Sequence, residues 1–217
     1  MTTVVSTIPL TEKLKSIPGF FGLRLEEEPK YYVLLKDGDK QIRKYYPFVL
    51  AQTFIRGDFQ FSSNEGFYRL ANYIFGSNSE KEKMSMATPV FQSKSRKLVM
   101  AAPILQEQKS DGWMMSFVLP AKYKLENVPQ PLMKNIEIVK VPSLIVATLR
   151  YSGTNSELKM NEHSKQLIDW IDSKDQYQII SEPRYAQYDA PHVLPFFRRN
   201  EIQITVHEIP KRKRKSQ

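Results

Sequence analysis

The feature that most constrains the fold of this chain is a pattern that occurs twice. In each half a strand-like run leads from an alanine to a glycine six positions later, from Ala51 to Gly57 and from Ala147 to Gly153. An amphipathic helical pattern follows each glycine, and further strand-like runs follow each helix. A duplicated strand-helix-strand-strand unit is the simplest explanation. We therefore predict an α+β protein in which two main helices pack outside a curved, largely antiparallel sheet or distorted β-barrel.

The first half begins with a predicted β-hairpin. The strand-like runs 31–35 and 41–45 flank Asp37-Gly38, a dipeptide that is typical of tight hairpin turns. The run 48–55 is rich in apolar and aromatic residues and predicts a mostly buried strand that stops at Gly57.

A helix is predicted next, because apolar residues then recur at helical spacing. Asn64 is suited to be its N-cap, and Gly76 stands where a C-terminal cap is expected. The apolar positions are Phe67, Leu70, Ala71, Ile74 and Phe75.

The remaining elements follow the same alternation. A second helix is predicted from the stripe formed by Met160, Ser164, Leu167 and Ile171, which Trp170 extends. Strands are predicted at 84–91, 98–104, 113–119, 138–142, 185–188 and 201–206.

Composition excludes several classes of protein and of site. The 217 residues include no Cys and three His, so disulfide scaffolds, thiolate metal sites and Cys nucleophiles are ruled out, and zinc or His-rich catalysis has few ligands to use. No apolar stretch has the length of a signal peptide or a membrane span, which favours the cytoplasm. We expect an N-terminal extension at 1–29, one domain at 30–208 and a basic tail at 209–217.

The basic tail carries much of the net charge. The formal charge of the chain is +9, and five of these charges come from the unbroken run 211–215. Such a run could bind nucleic acid, an anionic surface or an import receptor, although basic ends are more often simply solvated. We find no RNA-recognition or helix-turn-helix pattern to support nucleic-acid binding.

Several motifs, taken together and in this order, resemble the SOUL family of haem-binding proteins. The resemblance runs from about residue 31 to residue 206, and it is closer to the bacterial and plant branches than to the animal proteins. The motifs are Ile42-Arg43-Lys44-Tyr45, Asn64-Glu65-Gly66-Phe67, Tyr73-Ile74-Phe75-Gly76, Met86-Ala87-Thr88-Pro89-Val90, Met100-Ala101-Ala102-Pro103-Ile104, Ser116-Phe117-Val118-Leu119-Pro120 and Leu194-Pro195-Phe196-Phe197-Arg198-Arg199-Asn200-Glu201.

This resemblance implies reversible, non-covalent binding of haem or another tetrapyrrole, as a carrier or buffer. It also implies a barrel similar to bacterial gyrase-inhibitor-like effector-binding domains. In the family the ligand lies in an apolar groove between the first helix and the loop before the last strand. By position, the groove residues here would be Asn64, Phe67, Ala71 and Asn72 on the helix and His192, Val193 and Leu194 on the loop.

The two haem propionates would need cationic partners. Arg198 and Arg199 lie near the candidate loop and are the first choice, with Arg69 as a further possibility. The alternative is that these arginines pair with Glu201 or Glu65 and orient the last strand. Apolar burial of a macrocycle is worth on the order of 10 kcal/mol, and association costs about 4–15 kcal/mol, so we expect moderate and exchangeable affinity.

An iron ligand is harder to assign. Lys44 occupies the position where some family members have a His that has been proposed as an axial ligand, and a lysine binds iron only after losing its proton. His192 lies in the candidate loop and is the replacement that we predict. His163 and His207 have weaker claims. Met84 and Met86 are expected to fill the core rather than to bind the ligand.

Two other classes of function stay open at this point. One is an enzyme or an effector-binding sensor for another small hydrophobic molecule, although no nucleophile-base pair accompanies Glu65 and Glu201. The other is a nucleic-acid or partner-binding module that acts through the basic tail.

Overall fold

The computed structural model of this chain describes residues 26–94, 111–190 and 192–209. The predicted strand at 98–104 and the basic run 211–215 lie outside these ranges. The described elements are β1 (Tyr31–Asp37), β2 (Lys40–Tyr45), β3 (Phe48–Arg56), α1 (Phe59–Ile74), β4 (Val90–Ser93), β5 (Gly112–Val118), β6 (Glu137–Val141), β7 (Leu144–Tyr151), α2 (Glu157–Asp172), β8 (Tyr177–Ile179), β9 (Arg184–Gln187), a 3₁₀ turn (Pro195–Phe197) and β10 (Asn200–Glu208).

The strands form one curled antiparallel sheet that reflects the predicted duplication. Its order is β1-β2-β7-β10-β9-β4-β5-β3-β6, with β8 paired to β10. Each half contains a group of three neighbouring strands, β7-β10-β9 and β3-β5-β4, in which the strand that precedes the helix lies at one end. These two groups meet where β4 pairs with β9. The α+β fold with two helices on a curved sheet is therefore confirmed.

The N-terminus of α1 differs from the prediction. The helix begins at Phe59 and its N-cap is Asp58, whose Oδ1 accepts a hydrogen bond from the backbone N–H of Phe61 at 2.8 Å. Asn64 lies one and a half turns inside the helix, so its prediction as N-cap was wrong. The apolar spacing only begins to show at Phe67, because the first turn carries serine and glutamine. Gly76 does follow the end of the helix, with a φ of +116° that favours glycine.

The predicted strand at 84–91 is also shorter than expected. Only Val90 and Phe91 belong to β4, which continues to Ser93. Upstream, the backbone N–H of Met84 donates to the carbonyl of Ile74, and that of Thr88 donates to the carbonyl of Glu27, so this segment bonds outside the sheet ladder. Pro89 has no N–H to donate to a neighbouring strand.

Both helices cover the same side of the sheet. Met160, Leu167 and Ile171 of α2 pack with Ile202 and Ile204 of β10, which confirms the predicted second stripe. Leu70 and Tyr73 of α1 pack with Met115 and Phe117 of β5.

Gly66 allows α1 to approach the sheet closely. A Cβ atom at this position would lie 2.9 Å from Ile55 Cδ1, a distance that real Cβ atoms essentially never show, and 3.0 Å from Met115 Cβ, which is also unusually tight. The glycine of the Asn64-Glu65-Gly66-Phe67 motif therefore has a packing role, and it sets the height of the helix, with Phe67, above β5.

Candidate functional site

One wall of the predicted groove is a ridge on α1. Ser63, Phe67 and Ala71 are four residues apart and therefore lie on the same side of the helix. This side faces β4, because Gln92 Nε2 donates to Ser63 Oγ at 2.8 Å. Phe67 is 44% exposed and meets Phe117 of β5 edge to face, with ring centroids 5.3 Å apart. The ridge thus presents an anchored aromatic ring that keeps almost half of its surface exposed.

Asn64 and Asn72 lie farther round the helix, toward solvent. Asn64 is exposed and its side-chain oxygen accepts a long hydrogen bond of 3.5 Å from Gln60, whereas Asn72 is half-buried. Further exposed aromatic residues, Phe61, Tyr68 and Phe75, occupy the same helix and its C-cap. Contiguous apolar exposure of this kind commonly marks a binding surface.

The second wall is the segment that joins β9 to β10. His192 is exposed, Leu194 is half-buried and Val193 is buried, with its N–H donated to the carbonyl of Ala190. The sheet register relates this wall to the first one, because Phe117 pairs with Val90 and Val90 pairs with Gln187, just before the loop. Two strand spacings, about 10 Å, separate Phe117 from Gln187.

The arginines of this loop already have protein partners. Arg199 donates to Glu201 through Nε and Nη2, at 3.0 and 2.9 Å, and to Glu28 through Nη1, at 2.9 and 3.2 Å. Its guanidinium also lies 3.7 Å from the ring centroid of Tyr188. Arg198 Nε donates to the carbonyl of Val193 at 2.7 Å and so holds the loop in shape. Arg69 pairs with Glu65 on α1 at 2.6 Å.

A buried polar cluster lies on the opposite face of the sheet, and Glu201 is its centre. Arg43 Nη1 and Nη2 donate to the Glu201 carboxylate at 2.9 and 3.1 Å, and Arg199 binds the same group. Tyr188 Oη and Gln203 Nε2 each donate to Glu201 Oε2 at 2.9 Å. Burial alone would raise the pKa of Glu201, but the charges of Arg43 and Arg199 outweigh it and lower that pKa.

We did not anticipate Arg43 or Glu28 as partners of this cluster. Glu28 lies 171 residues from Arg199 along the chain, so no local spacing could connect the two. For Arg43 a weak signal existed, because an arginine stands between the apolar residues Ile42 and Tyr45 on a predicted strand.

A separate cavity of about 620 Å³ opens at one end of the barrel. We call it the barrel-end cavity. None of the nine predicted site residues lines it. Ala87, Val118 and Leu119 belong to two of the family motifs, but no local spacing indicates a cavity there, because its lining comes from distant stretches of the chain. Its apolar lining includes Tyr46, Phe48, Val49, Ala87, Val118, Leu119 and Leu125, and its charged lining consists of Glu27, Glu28, Lys30, Lys124, Glu126 and Lys140.

The imidazoles and Lys44 lie in different environments. His163 stacks on Tyr151 with centroids 4.2 Å apart, and His207 pairs with Gln178 in the sheet. Lys44 faces away from the Glu201 cluster, because it alternates with Arg43 and Tyr45 along β2. Exposed His192 is therefore the imidazole that the predicted groove could offer to iron.

Met84 is buried and Met86 packs partly buried beside it, both in the cluster around Leu70 and Tyr73. Both therefore fill the core, as expected. Within the ranges that the structure describes, no group of three or more His, Asp or Glu could hold a bare metal ion. No helix in those ranges is long and apolar enough to cross a membrane.

Comparison with known proteins gives both a family and a fold. A family model described as SOUL heme-binding protein matches residues 26–205. No curated protein matches the chain.

Among solved structures, the C-terminal domain of EcmrR aligns with a TM-score of 0.57 at 12% identity, covering 82% of this chain and 99% of that one. EcmrR in a complex with DNA aligns with a TM-score of 0.57 at 12% identity, covering 92% of this chain and 62% of that one. A conserved protein from Listeria innocua aligns with a TM-score of 0.47 at 9% identity, covering 93% and 100%. At these identities the likeness concerns the fold alone.

Proposed function

The chain belongs to the SOUL haem-binding family, and we propose that it binds haem or a related tetrapyrrole reversibly, as a carrier or buffer. The observation that supports a site on α1 is the ring of Phe67, which is fixed against Phe117 yet remains 44% exposed. A flat apolar ligand could cover this ring without displacing a core side chain.

The groove that we propose has an aromatic and a mixed wall. Phe67 and Ala71 would contact the macrocycle from α1, with Asn64 and Asn72 offering amide groups at its edge. Val193 and Leu194 would form the facing wall, and since Val193 is buried, the loop would have to open slightly to expose it.

The supply of cationic partners for the propionates limits the affinity of this groove for a tetrapyrrole. We propose Arg198 and Arg199 as partners of the propionates. Arg199 is bound to Glu28 and Glu201 on the face of the sheet opposite α1, so a propionate would reach its guanidinium only from the loop edge and would have to compete with these two carboxylates. It would gain less there than from an unpaired cation. The expected binding is therefore of moderate affinity and exchangeable. We propose the His192 imidazole as the group that would coordinate the iron of a bound haem.

The test is a titration of the protein with haem and with metal-free protoporphyrin, followed by the shift of the Soret band. Phe67→Ala should weaken binding of both ligands about three- to tenfold, because fully burying such a side chain is worth about 1.5–3 kcal/mol and 44% of this one remains to be covered. Tyr32→Ala is the matched control, since this ring is also 44% exposed but lies on β1, outside the proposed groove. Equal losses in the two variants, or no spectral shift with either ligand, would contradict the proposal.

Iron coordination can be separated from macrocycle binding. His192→Ala should weaken haem binding and leave protoporphyrin binding unchanged, because only haem carries iron. If both titrations are unchanged, His192 does not coordinate the iron, and the groove binds the macrocycle without an iron ligand from this residue. Cytoplasmic location, the division at residues 29/30 and 208/209, and any role of the basic tail remain predictions.

A further inference from the structure

The barrel-end cavity has the size and the lining of a small-molecule site. Its volume of about 620 Å³ falls in the range of roughly 300–1,000 Å³ that is typical of ligand pockets. Val49, Val118 and Leu119 are buried and form an apolar floor. Tyr46 and Leu125 are exposed at its wall. A ligand here could bury an apolar body while its polar end stays at the rim.

The acidic residues around the cavity are mostly committed to the protein. Glu27 Oε1 accepts a hydrogen bond from the backbone N–H of Ala121 at 2.8 Å. Glu28 is bound by Arg199 at 2.9 Å. Glu126 is the remaining carboxylate of the lining, and no partner is recorded for it among the described residues.

The lysines are not committed in this way. Lys30, Lys124 and Lys140 are exposed and line the same cavity. Among the residues that the structure describes, none of their three ammonium groups has a recorded ion pair or side-chain hydrogen bond. Glu27 keeps its negative charge, because its partner is a neutral backbone N–H, whereas Glu28 is paired with the cation Arg199. Among the described lining residues three lysines therefore face two uncompensated carboxylates, and this small positive excess favours an anion.

We propose that the barrel-end cavity is a second ligand site, which binds a small amphipathic anion with an apolar body and one carboxylate or sulfonate group. The floor takes the apolar body, and the rim lysines take the anionic group. This site is distinct from the groove on α1, and its ligand is not required for tetrapyrrole binding. The inference therefore goes beyond the proposed function.

The test compares decanoate with the uncharged 1-decanol, measured by isothermal titration calorimetry on the full chain. Decanoate should bind more tightly than 1-decanol, and its affinity should fall with added salt, because the rim charges are exposed and screened. The variant Lys30→Gln/Lys124→Gln/Lys140→Gln should weaken decanoate about fivefold or more and leave 1-decanol unchanged.

Two controls separate the site from general effects. Lys134→Gln/Lys159→Gln/Lys165→Gln removes the same charge at exposed positions that do not line the cavity, and should leave decanoate binding unchanged. Tyr46→Ala removes an exposed part of the apolar wall and should weaken decanoate and 1-decanol alike.

Haem titration of the rim variant distinguishes this inference from the proposed function. Unchanged haem binding together with weakened decanoate binding supports two separate sites. If haem binding falls in parallel, the cavity is the tetrapyrrole site and the second-site inference fails, whatever Phe67→Ala shows. Absent decanoate binding, or decanoate binding that the rim variant does not weaken, also overturns it.

Discussion

On the helix-covered side of β10, Ile202 and Ile204 pack among the apolar residues of α2, whereas on the other side of the same strand Glu201 and Gln203 are held by ion pairs and hydrogen bonds. The helix side is held together by apolar contacts, which have no preferred direction. The inner side is closed by a carboxylate whose acceptor positions are taken by Arg43, Arg199, Tyr188 and Gln203. An apolar face can leave one ring such as Phe67 partly uncovered at little cost, but a buried charge cannot lose a partner cheaply.

This difference explains where ligands can bind. The centre of the inner face is occupied by its own polar cluster, so we place ligands at the margins, in the groove beside α1 and in the barrel-end cavity. Arg199 connects the central polar cluster with the barrel-end cavity, because it binds Glu201 in the cluster and Glu28 at the cavity lining. Four predictions test the contrast between the two faces.

The largest effect is expected on the inner face. Glu201→Ala leaves Arg43 buried without its counter-charge and should lower the free energy of unfolding by about 3–5 kcal/mol, measured by urea denaturation. The double variant Arg43→Met/Glu201→Leu removes both charges of this pair and should lose less than Glu201→Ala. A loss below about 1 kcal/mol for Glu201→Ala would show that the cluster adds little to stability.

On the helix side, Leu70→Ala should lower the free energy of unfolding by about 2–5 kcal/mol, because this fully buried side chain fills the space between α1 and β5. The same urea measurement on Leu70→Met should give a loss of less than about 1.5 kcal/mol, since the volume is nearly conserved. Similar losses for the two variants would contradict the view that this face is closed by shape and volume.

Acid should weaken the inner face selectively. The pKa of Glu201 is lowered from 4.5 in the folded protein, because the charges of Arg43 and Arg199 outweigh the effect of burial. A carboxyl group with a lowered folded-state pKa contributes stability above its unfolded pKa, and that contribution is lost as the pH falls through the folded value. Between the two values the loss is about 1.4 kcal/mol per pH unit.

Urea denaturation from about pH 7 to pH 3 should therefore show a steeper loss of stability in the native chain than in Glu201→Gln, which cannot titrate at this position. Parallel curves would mean that other carboxyl groups govern acid unfolding.

The smallest effect concerns the start of α1. Asp58→Ala removes the observed N-cap and should cost about 1 kcal/mol in the free energy of unfolding. Asn64→Ala is the control, because Asn64 lies inside the helix on its exposed side and should change stability by less than about 0.5 kcal/mol. A larger loss of stability for Asn64→Ala than for Asp58→Ala would instead support Asn64 as the N-cap.

The sequence predicted most elements well, and its errors have local physical causes. The second helix was found from Met160, Leu167 and Ile171, since a buried stripe of helical period is a strong signal. The first helix was started too late, because Phe59, Ser62 and Ser63 do not form such a stripe although Asp58 caps them. The segment before β4 looked like a strand because it is apolar, but its backbone bonds to Ile74 and Glu27 instead of the sheet.

The candidate groove was likewise predicted only in part. Phe67 was identified through a family motif and Ala71 through its position on the predicted helix, and they do share one side of α1. The pairing of Arg199 with Glu201 was considered as an alternative, and the structure contains it. Its second partner, Glu28, and the lining of the barrel-end cavity were not foreseen.

Taken alone, the sequence determined the alternation of strands and helices, the duplication and the family, because periods of 2 and 3.6 residues and short motifs are local properties of the chain. The tertiary structure alone decided that Arg43 meets Glu201 across 158 residues, and that distant stretches enclose a cavity whose rim carries Lys30, Lys124 and Lys140. Such contacts depend on how a curled sheet brings its strands and their connections together in space, and no local spacing along the chain records that arrangement.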